Sequence, residues 1–478
     1  MNSVLTIASE EWRYWLRSKL ALCVFTLFVV VLLTSSLLTA VRMYSEEAER
    51  AHHQTEADQA FLSQPARHPH RMVHYGHYVF RTPTPLASFD PGLEAVTGQS
   101  MFLEGHRQNT AMFSSSAASA DIGGVYWLSP ALIYQLFGPL LILLLGHSSV
   151  AREREAKTLG PLLAQGLSGY QLLIGKALAL IAFTALILIP LLLNALVAVS
   201  VGESLMTGLL LTGVYFLYLL VWCAVTLFFS GLLNKRTNVL VVLVALWLLL
   251  TLVVPSLAVN TASRHIPLAG KIESDLRMLS EVKDLSDGHD VSGSERDQLL
   301  ETLFEEQGVK RVEDLSLNIR GLVAQKAEKQ LTESMNAYAE KRMSGEAHQT
   351  RVLTQHGWLS PVLAVAKSSR TISATDLRHY QQFLRQAETV RYAFVQALNT
   401  AHAEKLDYTA DINRSRDEAS NRLTRIDASH WEVLDRFEFT PDSPTTRLKH
   451  ARASINMLLA WIVVFTVLLT GLSKRLKP

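Results

Sequence analysis

Four histidines, His68, His70, His74 and His77, fall with Met72 inside one ten-residue stretch, and His52, His53 and His106 lie in the same polar segment. Imidazole is a common ligand for zinc, copper and nickel, and a thioether beside it favours copper. A structural site needs about four donors converging at roughly 2 Å. His68, His70, His74 and His77 are therefore a candidate metal set, weighed against the plainer reading of surface histidines bonded to backbone or water. Hydrolytic chemistry has less to stand on. No His-Glu-x-x-His and no Gly-x-Ser-x-Gly occurs, and the only cysteines, Cys23 and Cys223, sit in apolar blocks. The acidic groups Glu281, Asp284 and Asp287, and the pair Asp407 and Asp411, read as solvated faces or caps. A phosphate-cradling loop is also missing, because Gly175-Lys176 is followed by Ala177 and Tyr170 stands where the first glycine would be. The chain is thus expected to bind no nucleotide and to carry no cofactor of its own.

The elements that position these residues are set by apolar clustering. Of 478 residues, 49% are hydrophobic, and they gather into blocks long enough to cross a hydrocarbon core of about 30 Å as helices. The expected class is an all-α membrane protein. Residues 1–19 form an interfacial helix, with Trp12, Tyr14 and Trp15 among charged residues. Spans follow at 20–41, 127–150, 175–200, 204–233, 237–258 and 453–473. A first outer domain, 42–126, is small and mixed, with an acidic helical start at Ser45–Ala60 and a strand near His77–Arg81. The second, 259–452, is larger and helical, with helices expected near Glu295–Glu306, Leu315–Arg342, Thr375–Asp407 and Arg414–Phe437. Between them His356–Ala366, with Trp358, Leu359, Pro361, Val362, Leu363 and Val365, either dips into the interface or packs under the bundle.

The net charge of +2 gives no reason to expect nucleic acid, and the placement of the basic residues matters more than their sum. Arg13, Arg17 and Lys19, then Arg152, Arg154 and Lys157, then Lys235 and Arg236, then Lys474, Arg475 and Lys477 flank the spans on one side. If that side is cytoplasmic, six crossings close consistently, both termini lie inside and the two long insertions lie outside. Carboxylates are nearly absent from the spans, where Gln135, His147 and Asn194 are the notable polar residues, which argues against an ion-coupled carrier.

The short loop 151–174 between the second and third spans holds the densest pattern. Glu153 and Glu155 head it. Leu159, Leu162, Leu163, Leu167 and Tyr170 fall on one helical face, and Ser168 with Gln171 forms a capping box for the next helix. An apolar ridge beside acidic groups suits the groove of a partner. The run 151–176 resembles the signature of ABC-2-type permeases, roughly E-x-E-x-G-T-L-E-x-L-L, a Pro/Ser turn, then L-L-x-G-K. Glu153, Glu155, Thr158, Leu159, Leu162, Leu163, Leu172, Leu173, Gly175 and Lys176 fall on it, while Lys157 stands where Gly is usual and Gly160 where Glu is usual. The resemblance implies that Glu153, Glu155, Thr158, Leu159, Leu162 and Leu163 couple to a separate cytoplasmic ATPase subunit, present twice, which binds ATP and Mg. It implies a second permease chain, identical or homologous, and export across a bacterial inner membrane; it is silent on the substrate, for which a lipid, peptide or other amphiphile is expected before a simple ion. Alternatives are a mechanical subunit working on a periplasmic partner, and metal handling through the histidines.

Overall fold

The computed structural model describes residues 3–94, 96–109, 111, 128–270, 290–431 and 437–476, with positions 273, 276–278 and 280. Helix α1, Ser3–Arg17, buries Ala8, Glu11 and Trp15, a stripe at helical spacing. The Ser18 side chain accepts from the Ala21 N–H and starts α2, Lys19–Leu62. No Gly or Pro interrupts those 44 residues, so the expected first span and acidic helix are one rod. At ~1.5 Å per residue it is about 65 Å long, more than twice the hydrocarbon thickness. Its second half therefore stands beyond the apolar region and carries the first insertion. There follow α3, Pro69–Tyr75, and strands β1, His77–Phe80, and β2, Ser100–Leu103, paired antiparallel with His77 opposite Leu103.

The remaining bundle helices are α4, Pro130–Gly146, then the short α5, Ala151–Glu155, and α6, Leu159–Ala164, then α7, Gly169–Ile187, and α8, Ile189–Ser200. Pro190 breaks α7 from α8 by removing a backbone donor. Helix α9 is Leu205–Leu232, and α10, Arg236–Leu248, widens into a π-helical turn at Leu249–Val253 before α11, Val254–His265. Pro255, at the start of α11, is the physical cause of that widening. The second insertion contributes α12, Gly293–Gln307, α13, Ile319–Gln355, α14, Pro361–Ile372, α15, Leu377–Lys405, α16, Tyr408–Asn413, and α17, Glu418–Leu423. Helix α18, Pro444–Ser473, returns to the bundle. Among the described residues six helices are long and apolar enough to cross a membrane: Ala21–Leu62, Pro130–Glu155, Gly169–Ser200, Leu205–Leu232, Arg236–His265 and Pro444–Ser473.

Two findings differ from the sequence reading. The helix expected over Arg414–Phe437 is broken: α17 is followed by an antiparallel bridge from Ile426 to Arg67 and a 3-10 turn at Ala428–His430. The Asp417 and Asp427 side chains accept from backbone N–H groups just ahead of them and so favour turns over continued helix. The two insertions also share one core. Met72, Val79 and Leu103 from the first pack with Phe383, Phe394, Leu398 and Trp431 from the second. The face of a two-stranded hairpin is too small to be stable alone, and α15 supplies its other side.

The His356–Ala366 segment resolves towards packing. Val362, Ala364 and Val365 of α14 join the same buried cluster as Tyr134, Leu141, Tyr215 and Leu458 of the spans. Trp358 and Leu359 just before it are exposed, so the insertion is seated in the open end of the bundle by one short helix.

Candidate functional site

The segment 151–176 folds into a clasp that gathers the opposite end of the bundle. Its centre is a set of charges on three elements. Lys176, two turns into α7, donates through Nζ to Glu11 of α1 and to Glu153 of α5. Arg152 donates to the same Glu11 oxygen at 2.6 Å, and its guanidinium lies 3.8 Å from the Tyr14 ring centre. Glu11 is 1% exposed and Lys176 3%, so each charge depends on its partners. The neighbouring Arg154 donates to the Gly231 and Leu233 carbonyls at 2.8 and 3.1 Å, covering the C-terminal end of α9 where partial negative charge collects. Glu155 holds Arg236, at the head of α10, at 2.6 Å, and this exposed pair lowers the Glu155 carboxyl below its usual range through the Arg236 hydrogen bond. One loop thereby ties α1, α7, α9 and α10 together.

Small residues make the close approaches possible. A Cβ on Gly175 would lie 2.7 Å from the Ile7 side chain and 3.0 Å from the Val4 carbonyl, so glycine there lets α1 lie against α7. Lys157 separates α5 from α6 with φ of +58°, the left-handed region that favours glycine. The position where the ABC-2 signature usually carries Gly is therefore one whose backbone conformation favours glycine. The capping box at Ser168 and Gln171 forms as read.

The apolar ridge does not point outwards as a unit. Leu159 and Leu163 are buried in a cluster with Val150, Leu172, Leu173 and Leu476 of this chain. Leu162 is half-buried, while Glu155, Thr158 and Tyr170 are exposed. The physical reason is that α6 has six residues, too short for a ridge that both anchors the loop and faces a partner, so the anchoring leucines turn inward. The reading missed Glu11, whose signal was an acidic residue on the apolar face of an amphipathic helix.

The four histidines proposed as one metal set do not converge. His77 pairs with Asp58 at 2.9 Å. His68 joins His402 and Asp411, and His70 joins His74 and a residue outside the set, His106. The separation follows from α3: residues 70 and 74 share a face, whereas His68 is its N-cap and His77 lies in β1. The Nδ1 of His68 accepts from the His70 N–H at 3.2 Å, which leaves Nε2 as the donor to Asp411, 3.0 Å away. His402 and Arg320 reach the other Asp411 oxygen at 2.8 and 3.2 Å, and Arg414 approaches the His68-bonded one at 3.4 Å. Burial pushes the His68 imidazole down to about 4, outweighing its bond to Asp411. Burial alone would raise the Asp411 carboxyl, but His402 and His68 hold it below its ordinary value. The protonated Nε2 of His68 makes this a buried structural network instead of a metal site. Asp411 is 1% exposed, which corrects its reading as a solvated acid, while Asp407 caps α16 as read. Glu281, Asp284 and Asp287 lie outside the described residues.

A second polar line joins the insertion to the spans. Ser369 of α14 donates to Asp90, the Tyr215 hydroxyl donates to Ser369 at 3.1 Å, Gln135 donates to Tyr215 at 2.9 Å and Tyr218 donates to the Gln135 carbonyl at 2.6 Å. Burial raises the Asp90 carboxyl, with Arg370 opposing.

A family model described as a domain of unknown function (DUF3526) matches residues 273–440, within the second insertion. No curated protein matches the chain.

Proposed function

We propose that the chain is the membrane subunit of an ATP-driven transporter of the ABC-2 class, with the clasp on the cytoplasmic side of a bacterial inner membrane, both termini inside and the joined insertions in the periplasm. The observation that carries the reading is that α1, α5 and α7 are locked by Glu11, Glu153 and Lys176, with a left-handed Lys157 where the signature has glycine. Six apolar helices of spanning length agree with it. A partner ATPase pressing on the exposed part of this loop, Glu155, Pro161, Gln165 and Tyr170, displaces it as a body with four helices attached. Force applied there is delivered to the spans without depending on the contacts of any one leucine. Two ATPase copies and a second permease chain complete the assembly, ATP and Mg being held by the ATPase.

A mechanical reading has its own support. Helix α14 is buried among the span ends and hydrogen-bonded through Ser369 to the line from Asp90 to Gln135. Motion of the spans then moves the outer helices α13 and α15 against lipid or a periplasmic partner.

The test is purification of the tagged chain from its native membrane in mild detergent, with identification of co-purifying chains and an ATPase measurement. A stoichiometric nucleotide-binding subunit supports the transporter reading, and its absence at every salt concentration and in every detergent tried removes that reading. Stimulation of turnover by an amphiphile favours transport. Stimulation only by an added outer partner favours the mechanical role.

A further inference from the structure

We infer that the outer domain carries a transition-metal site formed by His70, His74 and His106, for a borderline divalent ion of the zinc class. His70 and His74 are four residues apart on α3 and so share one face. Their Nε2 atoms face each other at 3.2 Å, and two nitrogens on a tetrahedral zinc at ~2.0 Å sit about 3.3 Å apart. His106 arrives from the turn after β2, its ring centre 5.6 Å from that of His70 and 5.1 Å from that of His74. One donor atom from each of the three lies within 4.8 Å of the others, a spread that side-chain rotation closes.

The arrangement around His106 is what separates this cluster from a chance meeting of surface histidines. Its Nδ1 lies 2.8 Å from a Glu328 carboxylate oxygen. Glu328 is fully buried, and its other oxygen is held by Arg391 at 2.6 Å, with Thr332 beside it. A carboxylate fixed at this distance favours the imidazole tautomer with its proton on Nδ1 and its lone pair on Nε2, the arrangement by which metal-bound imidazoles are oriented. His106 also adopts φ of +61°, a conformation that costs a residue with a Cβ and persists where the surroundings hold it. This is the opposite tautomer to that of His68, whose Nε2 bears a proton. Binding replaces the proton shared by His70 and His74, and the fourth position is left to water or a ligand from solution. The donor set is three neutral imidazoles, which suits zinc, copper(II) or nickel and not magnesium or calcium. The site lies wholly in the outer domain and stands independently of the transporter reading.

The experiment is zinc binding to the full chain in detergent, measured by competition with a chromophoric chelator after dialysis against EDTA, with copper(II), nickel and magnesium run in parallel. The expected result is one zinc per chain, no competition by magnesium, and an X-ray absorption spectrum of imidazole coordination. His74→Ala, at an exposed position, abolishes binding at zinc concentrations that saturate the unaltered chain, as does His106→Gln, and Glu328→Gln weakens it roughly 10- to 100-fold. His68→Gln leaves the affinity unchanged. Absence of stoichiometric zinc in the unaltered chain overturns the inference. So does binding that survives His74→Ala and His106→Gln, or binding that His68→Gln removes while His74→Ala does not.

Discussion

Replacing Lys176 by Met isolates the charge balance of the clasp. The side chains are similar in length, so the change removes the ammonium without opening a cavity. Glu11, 1% exposed, then keeps Arg152, and Glu153, whose side chain is 14% exposed, loses its pairing with Lys176. Taking one partner from a buried ion pair costs about 3–5 kcal/mol, most of it the penalty of leaving the other charge unmatched. The double change Glu11→Gln with Lys176→Met removes one charge of each sign, so the net charge of the cluster is unchanged. It is expected to cost about 1–2 kcal/mol, roughly 2–3 kcal/mol less than Lys176→Met alone, and the coupling energy between the two positions exceeds that difference by whatever Glu11→Gln costs alone. The assay is unfolding of the detergent-solubilised chain, followed by tryptophan fluorescence; Trp12 and Trp15 lie on α1 beside the cluster. A single substitution that leaves the transition where it was, or two costs that simply add, would refute the claim that these groups form one interdependent unit. Loss of ATPase stimulation in the single variant and its recovery in the double would extend the result to the proposed coupling role.

Three other outcomes are expected. Lys157→Gly relieves a left-handed backbone and raises stability by about 1 kcal/mol, whereas Lys157→Val lowers it, both read from the same unfolding transition. Gly321→Ala places a Cβ 2.3 Å from the Ala403 backbone nitrogen where α13 crosses α15, and because the obstacle is backbone it destabilises the outer domain by about 1–3 kcal/mol. Acidification weakens the same domain through His68, whose imidazole is lowered from 6.5 to about 4. Above pH 6.5 neither state carries the proton. Between 6.5 and 4 the unfolded chain takes it up and the folded chain does not. Stability therefore falls with pH across that window, by up to about 3 kcal/mol, and His68→Gln flattens the dependence of the thermal midpoint between pH 7 and 5.

Sequence alone determined the features that repeat along a single element. Six apolar stretches, the amphipathic stripe of α1, the capping box at Ser168 and the helices around Glu295–Glu306 and Thr375–Asp407 were readable because each depends on residues a few positions apart. Resemblance to a permease signature singles out Glu153, Gly175 and Lys176 from the sequence. What each does there was decided by tertiary structure, because Lys176 finds Glu11 from 165 positions away and Gly175 is explained only by Ile7 lying over it. The histidines make the same point. Their spacing offered one set of four, but α3 turns residues 70 and 74 to one side and 68 to another, and the groups are completed from elsewhere in the chain, by His106 in one and by His402 and Asp411 in the other. Long-range pairing of charges and tautomers has no period to read, so it becomes visible only when the fold brings the partners within hydrogen-bonding distance.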